Sequence, residues 1–119
     1  MATNTIRNGV DVDRLVATVG AVQGDQNVAK FTFRARSSWE TGGRNRGEIR
    51  EFEHAGATTT DRAQAFELIG DEPPVLLGTN AGPNAVELVL QALAFCYAVG
   101  YAYKRGGQGH RDRGAPLRG

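Results

Sequence analysis

The chain has a single cysteine, Cys96, set in the apolar stretch LAFCYAVG between Leu93 and Gly100. A free cysteine in such a stretch commonly packs as a small hydrophobe. A reactive thiol instead requires a positive neighbour that lowers its pKa and a path along which the substrate reaches it. Arg44 and Arg46, in the segment ETGGRNRGE, are two cations that could supply that charge. The residues alone therefore leave two interpretations open, a core cysteine and a nucleophile.

Metal and phosphate chemistry are less well supported by the spacing of residues. His54, His110 and Cys96 show none of the close pair spacings that zinc sites display. The segment GTNAGPN (78–84) is glycine-rich and precedes a predicted helix, but it lacks the Lys and Ser/Thr of a phosphate-binding loop. We therefore expect a structural turn there, and neither a metal nor a cofactor in the protein.

Length and charge predict one cytoplasmic domain. The chain has 119 residues, 40% of them hydrophobic, and a formal net charge of +1, which is typical of a globular domain. Residues 104–119 hold five of the 14 Lys and Arg and a single acid. The remaining body is acidic, so we expect no nucleic acid and no membrane as partner. The amino terminus lacks a secretory signal, and no uninterrupted apolar run reaches the ~18 residues of a membrane span.

A pattern of apolar residues at helical spacing predicts an amphipathic helix within residues 8–23. Asn8 or Asp11 is available as its N-cap, and the helix is predicted to end near Gly20 or Gly24. An alternating pattern then predicts strands, because side chains of a strand point to opposite faces in turn. The predicted strands are 29–37, 49–54 and 62–69, with 40–48 as a hairpin loop or wide turn. Three consecutive strands with short connections favour an antiparallel meander.

The segment after the strands predicts a structured loop and then a buried helix. Pro73 and its neighbour Pro74 exclude helix, while the acids Asp71 and Glu72 beside them are either a functional hydrogen-bonding pair or exposed turn acids. The helix predicted over 86–99 is apolar nearly all round, which indicates burial in a core or an interface. We expect a domain of residues 1–103 and a disordered Gly/Arg-rich tail of residues 104–119.

Three stretches resemble the OsmC/Ohr family of osmotically inducible and organic-hydroperoxide-resistance proteins. DEPPVLLGTNAGPNAVELVLQALAFC, residues 71–96, resembles the family signature, in which a loop leads into a helix that carries the reactive cysteine. NGVDVDRLVATVGAVQGDQNVAKFTFRARSSW resembles the extended amino terminus of one OsmC-like subgroup, and TGGRNRGEI resembles the arginine-bearing turn between its first strands. The similarity extends from about Asn8 to Tyr101.

The resemblance implies an α+β fold, namely an antiparallel β-meander and a buried central helix, in an intertwined homodimer with the thiol near the subunit interface. It implies that Cys96 is the peroxidatic thiol, which attacks an organic hydroperoxide and becomes a sulfenic acid. Arg44 or Arg46 corresponds to the family arginine that stabilises the thiolate, with Arg44 preferred. Glu72 corresponds to the glutamate that positions this arginine.

The sequence departs from the family pattern after Tyr103. The second cysteine that resolves the sulfenic acid is absent, and we expect the C-terminal half of the family fold to be absent with it. A dithiol would then act as the reductant. The change to YKRGGQGHRDRGAPLRG suggests a frameshifted or truncated reading of the gene, with a genuine basic tail as the alternative. The alternative function is a non-catalytic dimeric scaffold or binding protein in which Cys96 is part of the core.

Overall fold

The computed structural model describes residues 5–59 and 61–107. It contains antiparallel sheets and a long helix near the C-terminal end of the described chain. The chain divides into two compact units, one of residues Asn27–Leu90 and the other of the residues on either side of that range. The predicted α+β class is confirmed, while the OsmC-like topology and the homodimer stay predictions.

A short hairpin precedes the first helix. Strand β1 (Ile6–Arg7) pairs antiparallel with β2 (Val10–Asp11), and helix α1 spans Val12–Gly24. The Asp11 carboxylate accepts a hydrogen bond of 3.1 Å from the backbone nitrogen of Arg14. This bond satisfies one of the amide groups that every helix N-terminus leaves without an intrahelical partner. The predicted cap at Asp11 and the predicted end near Gly24 are both confirmed.

An antiparallel meander follows a 3₁₀ turn at Gln26–Ala29. Its strands are β3 (Phe31–Phe33), β4 (Arg36–Thr41), β5 (Arg44–Ile49), β6 (Phe52–His54), β7 (Ala57–Thr59) and β8 (Phe66–Gly70). They form two three-stranded sheets, in the orders β3-β6-β7 and β4-β5-β8. The chain thus makes three passes, formed by β3 and β4, by β5 and β6, and by β7 and β8. Each pass is interrupted once and contributes one strand to each sheet. The predicted antiparallel pairing is confirmed, but the predicted strand 62–69 begins only at Phe66, and a separate strand, β7, precedes it.

The hairpin between β4 and β5 corrects one expectation. Residues 40–48 were predicted as a loop, but Arg44–Ile49 is a strand that pairs with β4 on one side and β8 on the other. Only Gly42 and Gly43 lie in the turn, and Gly42 has a φ of 55°, which glycine adopts without strain. The indole nitrogen of Trp39 donates a 2.9 Å hydrogen bond to the carbonyl of Gly42. Pairing on both edges outweighs the low strand propensity of the glycines.

Two arginines connect the chain segments at which the second and third passes are interrupted. The guanidinium of Arg50 donates to the carbonyl oxygens of Arg62 and Ala63, at 3.2 and 3.0 Å, and Arg62 donates back to the carbonyl of Arg50 at 3.0 Å. The Arg62 guanidinium carbon also lies 5.1 Å from the ring centres of both Phe52 and Phe66, within the range of cation–π attraction. These contacts tie the second pass of the meander to the third.

Replacing Ala55 with asparagine is expected to stabilise the β6–β7 hairpin. Ala55 and Gly56 have φ values of 51° and 84°, the backbone of a two-residue turn for which Asn-Gly is strongly preferred. Alanine carries a left-handed penalty of ~1 kcal/mol, much of which asparagine avoids by bonding its own backbone. Urea unfolding should give a higher midpoint for Ala55→Asn and a lower one for Gly56→Ala. Equal midpoints for the two variants would contradict this account of the turn.

Helix α2 spans Ala85–Gly107, preceded by a 3₁₀ turn at Pro74–Leu76. The helix therefore continues beyond the predicted end at Val99, and residues 104–107 of the predicted tail are helical. Gly106 is buried, and a Cβ built on it would lie 3.3 Å from the carbonyl oxygen of Arg7, so the last turn packs on the first hairpin. This contact explains why the helix extends past the change in composition. The remainder of the predicted tail, 108–119, lies outside the described residues.

The apolar surface of α2 is exposed in the single chain, so of the two predicted places of burial, a core or an interface, the described residues do not provide the first. Val86 is 66% exposed, Leu93 52% and Tyr97 76%, and no large apolar side chain of the described residues is buried. By length and composition alone, α2 is also long and apolar enough to cross a membrane, and the expectation of no membrane partner stays a prediction. The core helices of soluble proteins meet the same criterion. The chain therefore presents an apolar helix that requires a cover.

Candidate functional site

Cys96 lies in the middle of α2, and its side chain is exposed. Alanines precede it by two and four positions, and Gly100 follows one turn later. Cys96 belongs to the compact unit that also holds α1, whereas the other three predicted site residues belong to Asn27–Leu90. The pairing of this thiol with an arginine thus stays a prediction.

Arg44 and Arg46 lie on one face of β5, because they are two residues apart in a strand. The Glu40 carboxylate connects them. The Nε atom of Arg44 lies 3.6 Å from Oε1 of Glu40, and the Nε atom of Arg46 lies 3.7 Å from Oε2. The two guanidinium groups are therefore held beside a single carboxylate, and each arginine side chain remains a little under half exposed.

Glu40 reaches both arginines because β4 is irregular at this point. Trp39 pairs with Asn45, and Thr41 pairs with Arg44, so β4 advances two residues while β5 advances one. Glu40 is the extra residue of this β-bulge. Bulges redirect a side chain and are frequent beside functional sites. The bulge has no signature in the sequence, which is why Glu40 was not among the predicted site residues.

A second carboxylate restrains Arg46. Its Nη1 atom lies 3.7 Å from Oε2 of Glu67 on β8. Side chains paired across an antiparallel sheet share a face, so the registers of β4, β5 and β8 place a group of charged residues on one side of the sheet. We call this group the charged face: Arg36, Glu40, Arg44, Arg46, Glu48 and Glu67. The group holds both signs of charge, and Glu40 and Glu67 pair with its arginines, whereas Glu48 lies opposite a like charge, Glu67.

The opposite face of the same sheet shares a cavity with the start of α2. Ser37, Gly47 and Leu68 from the sheet line a cavity of about 460 Å³ together with Ala85 and Leu88 of the helix. Small side chains on the sheet leave this space open. The two arginines therefore project from the sheet face that does not line this cavity.

Asp71 organises the loop that leads into α2. Its side chain is 3% exposed, the lowest value for a polar residue of the described chain. It accepts hydrogen bonds from the backbone nitrogens of Glu72, Thr79 and Ala81, at 2.7, 3.2 and 3.0 Å, and from the Thr79 hydroxyl at 2.6 Å. These bonds, the Thr79 hydroxyl first, lower the pKa of Asp71 from its ordinary 3.8 to about 2. Asp71 is thus a structural anion and not an exposed turn acid.

Glu72 has a different partner from the one predicted. Its Oε2 accepts a hydrogen bond of 3.3 Å from the Asn84 side chain. Arg44 and Arg46 pair with Glu40 and Glu67 instead, and the ion pairs of the described residues include none with Glu72. Its role in positioning an arginine stays a prediction.

A capping box fixes the beginning of α2. The Asn84 side chain accepts from the Glu87 backbone nitrogen at 2.9 Å, and the Glu87 carboxylate accepts from the Asn84 nitrogen at 3.0 Å. This reciprocal pair satisfies two amide groups at the helix start. The N-x-x-E spacing was a signal that sequence reasoning could have used. Through Asn84, Glu72 is connected to the helix that carries Cys96.

The histidines do not add to this site. His54 lies on β6, where its ring stacks on Phe31 with centres 4.4 Å apart and its Nε2 atom lies 2.7 Å from the carbonyl oxygen of Val28. These contacts make His54 part of the sheet surface. His110 lies outside the described residues.

In chemical terms, the described residues offer an accessible thiol and, separately, a pair of guanidinium groups held by carboxylates. Guanidinium groups stabilise anions such as a thiolate or a departing alkoxide. Comparison with protein-family models finds no match to this chain, and comparison with curated proteins finds no significant match.

Proposed function

We propose that the chain is an OsmC-like thiol-dependent peroxidase that reduces organic hydroperoxides through Cys96. The observation that carries the proposal is the guanidinium pair of Arg44 and Arg46 beside Glu40. A structural cysteine has no need of a neighbouring cation. A nucleophilic thiolate does, because its reactive form is an anion and its reaction expels another.

In the proposed reaction, the Cys96 thiolate attacks the distal oxygen of the hydroperoxide. An S–O bond forms as the O–O bond breaks, the sulfur loses two electrons, and the leaving alkoxide takes a proton to become an alcohol. The guanidinium groups stabilise the thiolate and the alkoxide. An external dithiol then attacks the sulfenic acid, releases water and forms a mixed disulfide. Its second thiol releases Cys96 in the reduced form.

The proposed active form is a cytoplasmic homodimer with no membrane or nucleic-acid partner. The exposure of Val86, Leu93 and Tyr97 supports a partner surface over α2. A second copy would also provide a guanidinium pair for the thiol, since each copy carries its arginines on the sheet face turned from the start of α2.

The alternative function is a non-catalytic dimeric scaffold or binding protein of the same fold. The feature in its favour is that exposed apolar residues surround Cys96 along α2, among them Phe95 at 64% and Val99 at 51%. A surface that covers them would cover the thiol as well. The two functions differ in whether hydroperoxide reaches the sulfur in the assembled protein.

Trapping of the sulfenic acid tests the proposal. The full chain is treated with cumene hydroperoxide in the presence of dimedone, which reacts with sulfenic acids, and the labelled peptide is identified by mass spectrometry. We expect a dimedone adduct on Cys96 and one molecule of alcohol released per chain in the absence of a thiol reductant. A Cys96 that reacts with iodoacetamide but acquires no adduct would overturn the peroxidase and favour the scaffold.

A further inference from the structure

We propose that the cavity shared by the β4-β5-β8 sheet and the start of α2 binds a small organic cation, namely a primary ammonium with a short apolar group. Its volume of about 460 Å³ lies in the range of small-molecule sites. All of its lining residues belong to the compact unit Asn27–Leu90, and Arg44 and Arg46 are not among them. Binding in this cavity is therefore independent of the proposed peroxidase reaction.

The lining of the cavity is negatively charged. It includes the carboxylates of Asp71 and Glu72, and none of the described residues that line it is basic. Asp71 already accepts four hydrogen bonds. Glu72 is half-buried and accepts one, at Oε2 from Asn84, while its Oε1 has no hydrogen-bond or ion-pair partner among the described residues. Because a carboxylate partly removed from water is stabilised by a cation, Glu72 favours a positively charged ligand.

Two further hydrogen-bond acceptors line the same cavity, on Ser37 and Asn45. The Asn45 side chain donates through its nitrogen to the carbonyl of Gly43, at 3.3 Å. Its amide oxygen and the Ser37 hydroxyl have no hydrogen-bond partner within residues 5–59 and 61–107. With Oε1 of Glu72, the lining therefore offers three oxygen acceptors, and a primary ammonium has three N–H donors. The polar part of the cavity thus matches an ammonium group in both charge and number of donors.

The other walls of the cavity are apolar, and they select an organic cation over a metal ion. Leu68 of β8 and both Ala85 and Leu88 of α2 contribute aliphatic surface. A metal ion would occupy a small part of the space and leave this surface in contact with water. An alkyl or aryl group attached to the ammonium would cover it, which is favourable because apolar area is removed from water.

Gly47 allows the cavity to be filled without removal of a polar group. Gly47 lines the cavity, and a Cβ built on it meets nothing closer than the Cβ of Leu68, at 3.5 Å, an ordinary van der Waals contact. Its φ is not positive, so the backbone accepts an L side chain. Valine also suits a strand interior better than glycine does. We therefore expect Gly47→Val to occupy the cavity while the chain stays at least as stable as the wild type.

Calorimetric titration of the full chain tests the inference, with 2-phenylethylamine as the probe and 2-phenylethanol as its neutral counterpart. We expect one amine to bind per chain, and the alcohol to bind about tenfold more weakly because it lacks the charge. Glu72→Gln should weaken amine binding by a similar factor and leave alcohol binding unchanged. Glu67→Gln, which removes the same charge from the opposite face of the sheet, is the matched control and should change neither.

Gly47→Val should bind neither compound, with a thermal midpoint equal to or above that of the wild-type chain. If this variant does not fold, the comparison of Glu72→Gln with Glu67→Gln decides alone. No saturable amine binding, or equal affinities for amine and alcohol, would overturn the inference. Unchanged amine affinity in Glu72→Gln or in a folded Gly47→Val would also overturn it, as would binding of Ca²⁺ in place of the amine.

Discussion

Cys96→Ser is expected to lower the rate of organic hydroperoxide reduction by at least ~10³-fold, the scale on which loss of a catalytic nucleophile acts. A serine hydroxyl remains protonated at neutral pH, and its oxygen has no accessible counterpart of the sulfenic acid. The side chain is exposed on α2, so the smaller oxygen leaves no cavity in the single chain. Consumption of cumene hydroperoxide with excess dithiothreitol measures the effect.

Ala92→Ser is the control for this prediction. Ala92 lies one helical turn before Cys96 on an exposed part of α2, so it receives the same hydroxyl without loss of the thiol. Its rate should equal that of the wild-type chain. A Cys96→Ser variant that retains more than about a tenth of the wild-type rate would show that the peroxide is consumed elsewhere, and Cys96 would then be a structural residue.

Asp71→Asn is expected to cause a large loss of stability, with a fall in the unfolding midpoint of roughly 10 °C or more. Asp71 is buried and accepts four hydrogen bonds, three of them from backbone nitrogens. An asparagine amide presents one oxygen and two further donors, so at least one backbone nitrogen loses its acceptor and faces another donor. Thermal unfolding followed by circular dichroism measures the change.

The pH dependence of the same residue has a defined sign. The pKa of Asp71 is about 2 in the folded chain, below its ordinary 3.8, so the carboxylate stabilises the folded state fully above that ordinary value. This contribution is lost as the pH falls from 3.8 towards 2. Asp61→Asn, at an exposed acid, is the control and should leave the midpoint unchanged. Equal midpoints for the two variants at pH 7 would contradict the structural role of Asp71.

The sequence predicted most of the elements but few of their ends. The periodicity of α1 and the cap at Asp11 depend only on residues that are close in sequence, so they could be recognised without knowledge of the fold. Strand β5 was missed because its glycines favour turns, whereas pairing with β4 and β8 stabilises it from both sides. The end of α2 at Gly107 was missed for a similar reason, because its last turn packs on the hairpin before α1.

The site shows the same division between local and non-local information. Arg44 and Arg46 could be selected from the sequence, because their charge and spacing are visible there. Glu40 could not, since the bulge that brings it to both arginines exists only in the pairing of β4 with β5. Asp71 was visible as an acid, but its hydrogen bonds to Thr79 and Ala81 depend on how the loop closes. The meeting of thiol and guanidinium stays a prediction.

The uncovered surface of α2 has a consequence for how the protein behaves on dilution. Val89 and Leu90, each 61% exposed, lie on a helix whose stability then depends on whatever binds over it. Binding stabilises a folded chain by mass action, so if the cover is the proposed second copy, the apparent melting temperature should rise with protein concentration. At low abundance the uncovered helix would then be a target for chaperones and proteases. Under the proposed homodimer, expression level would set the fraction of chains that are folded.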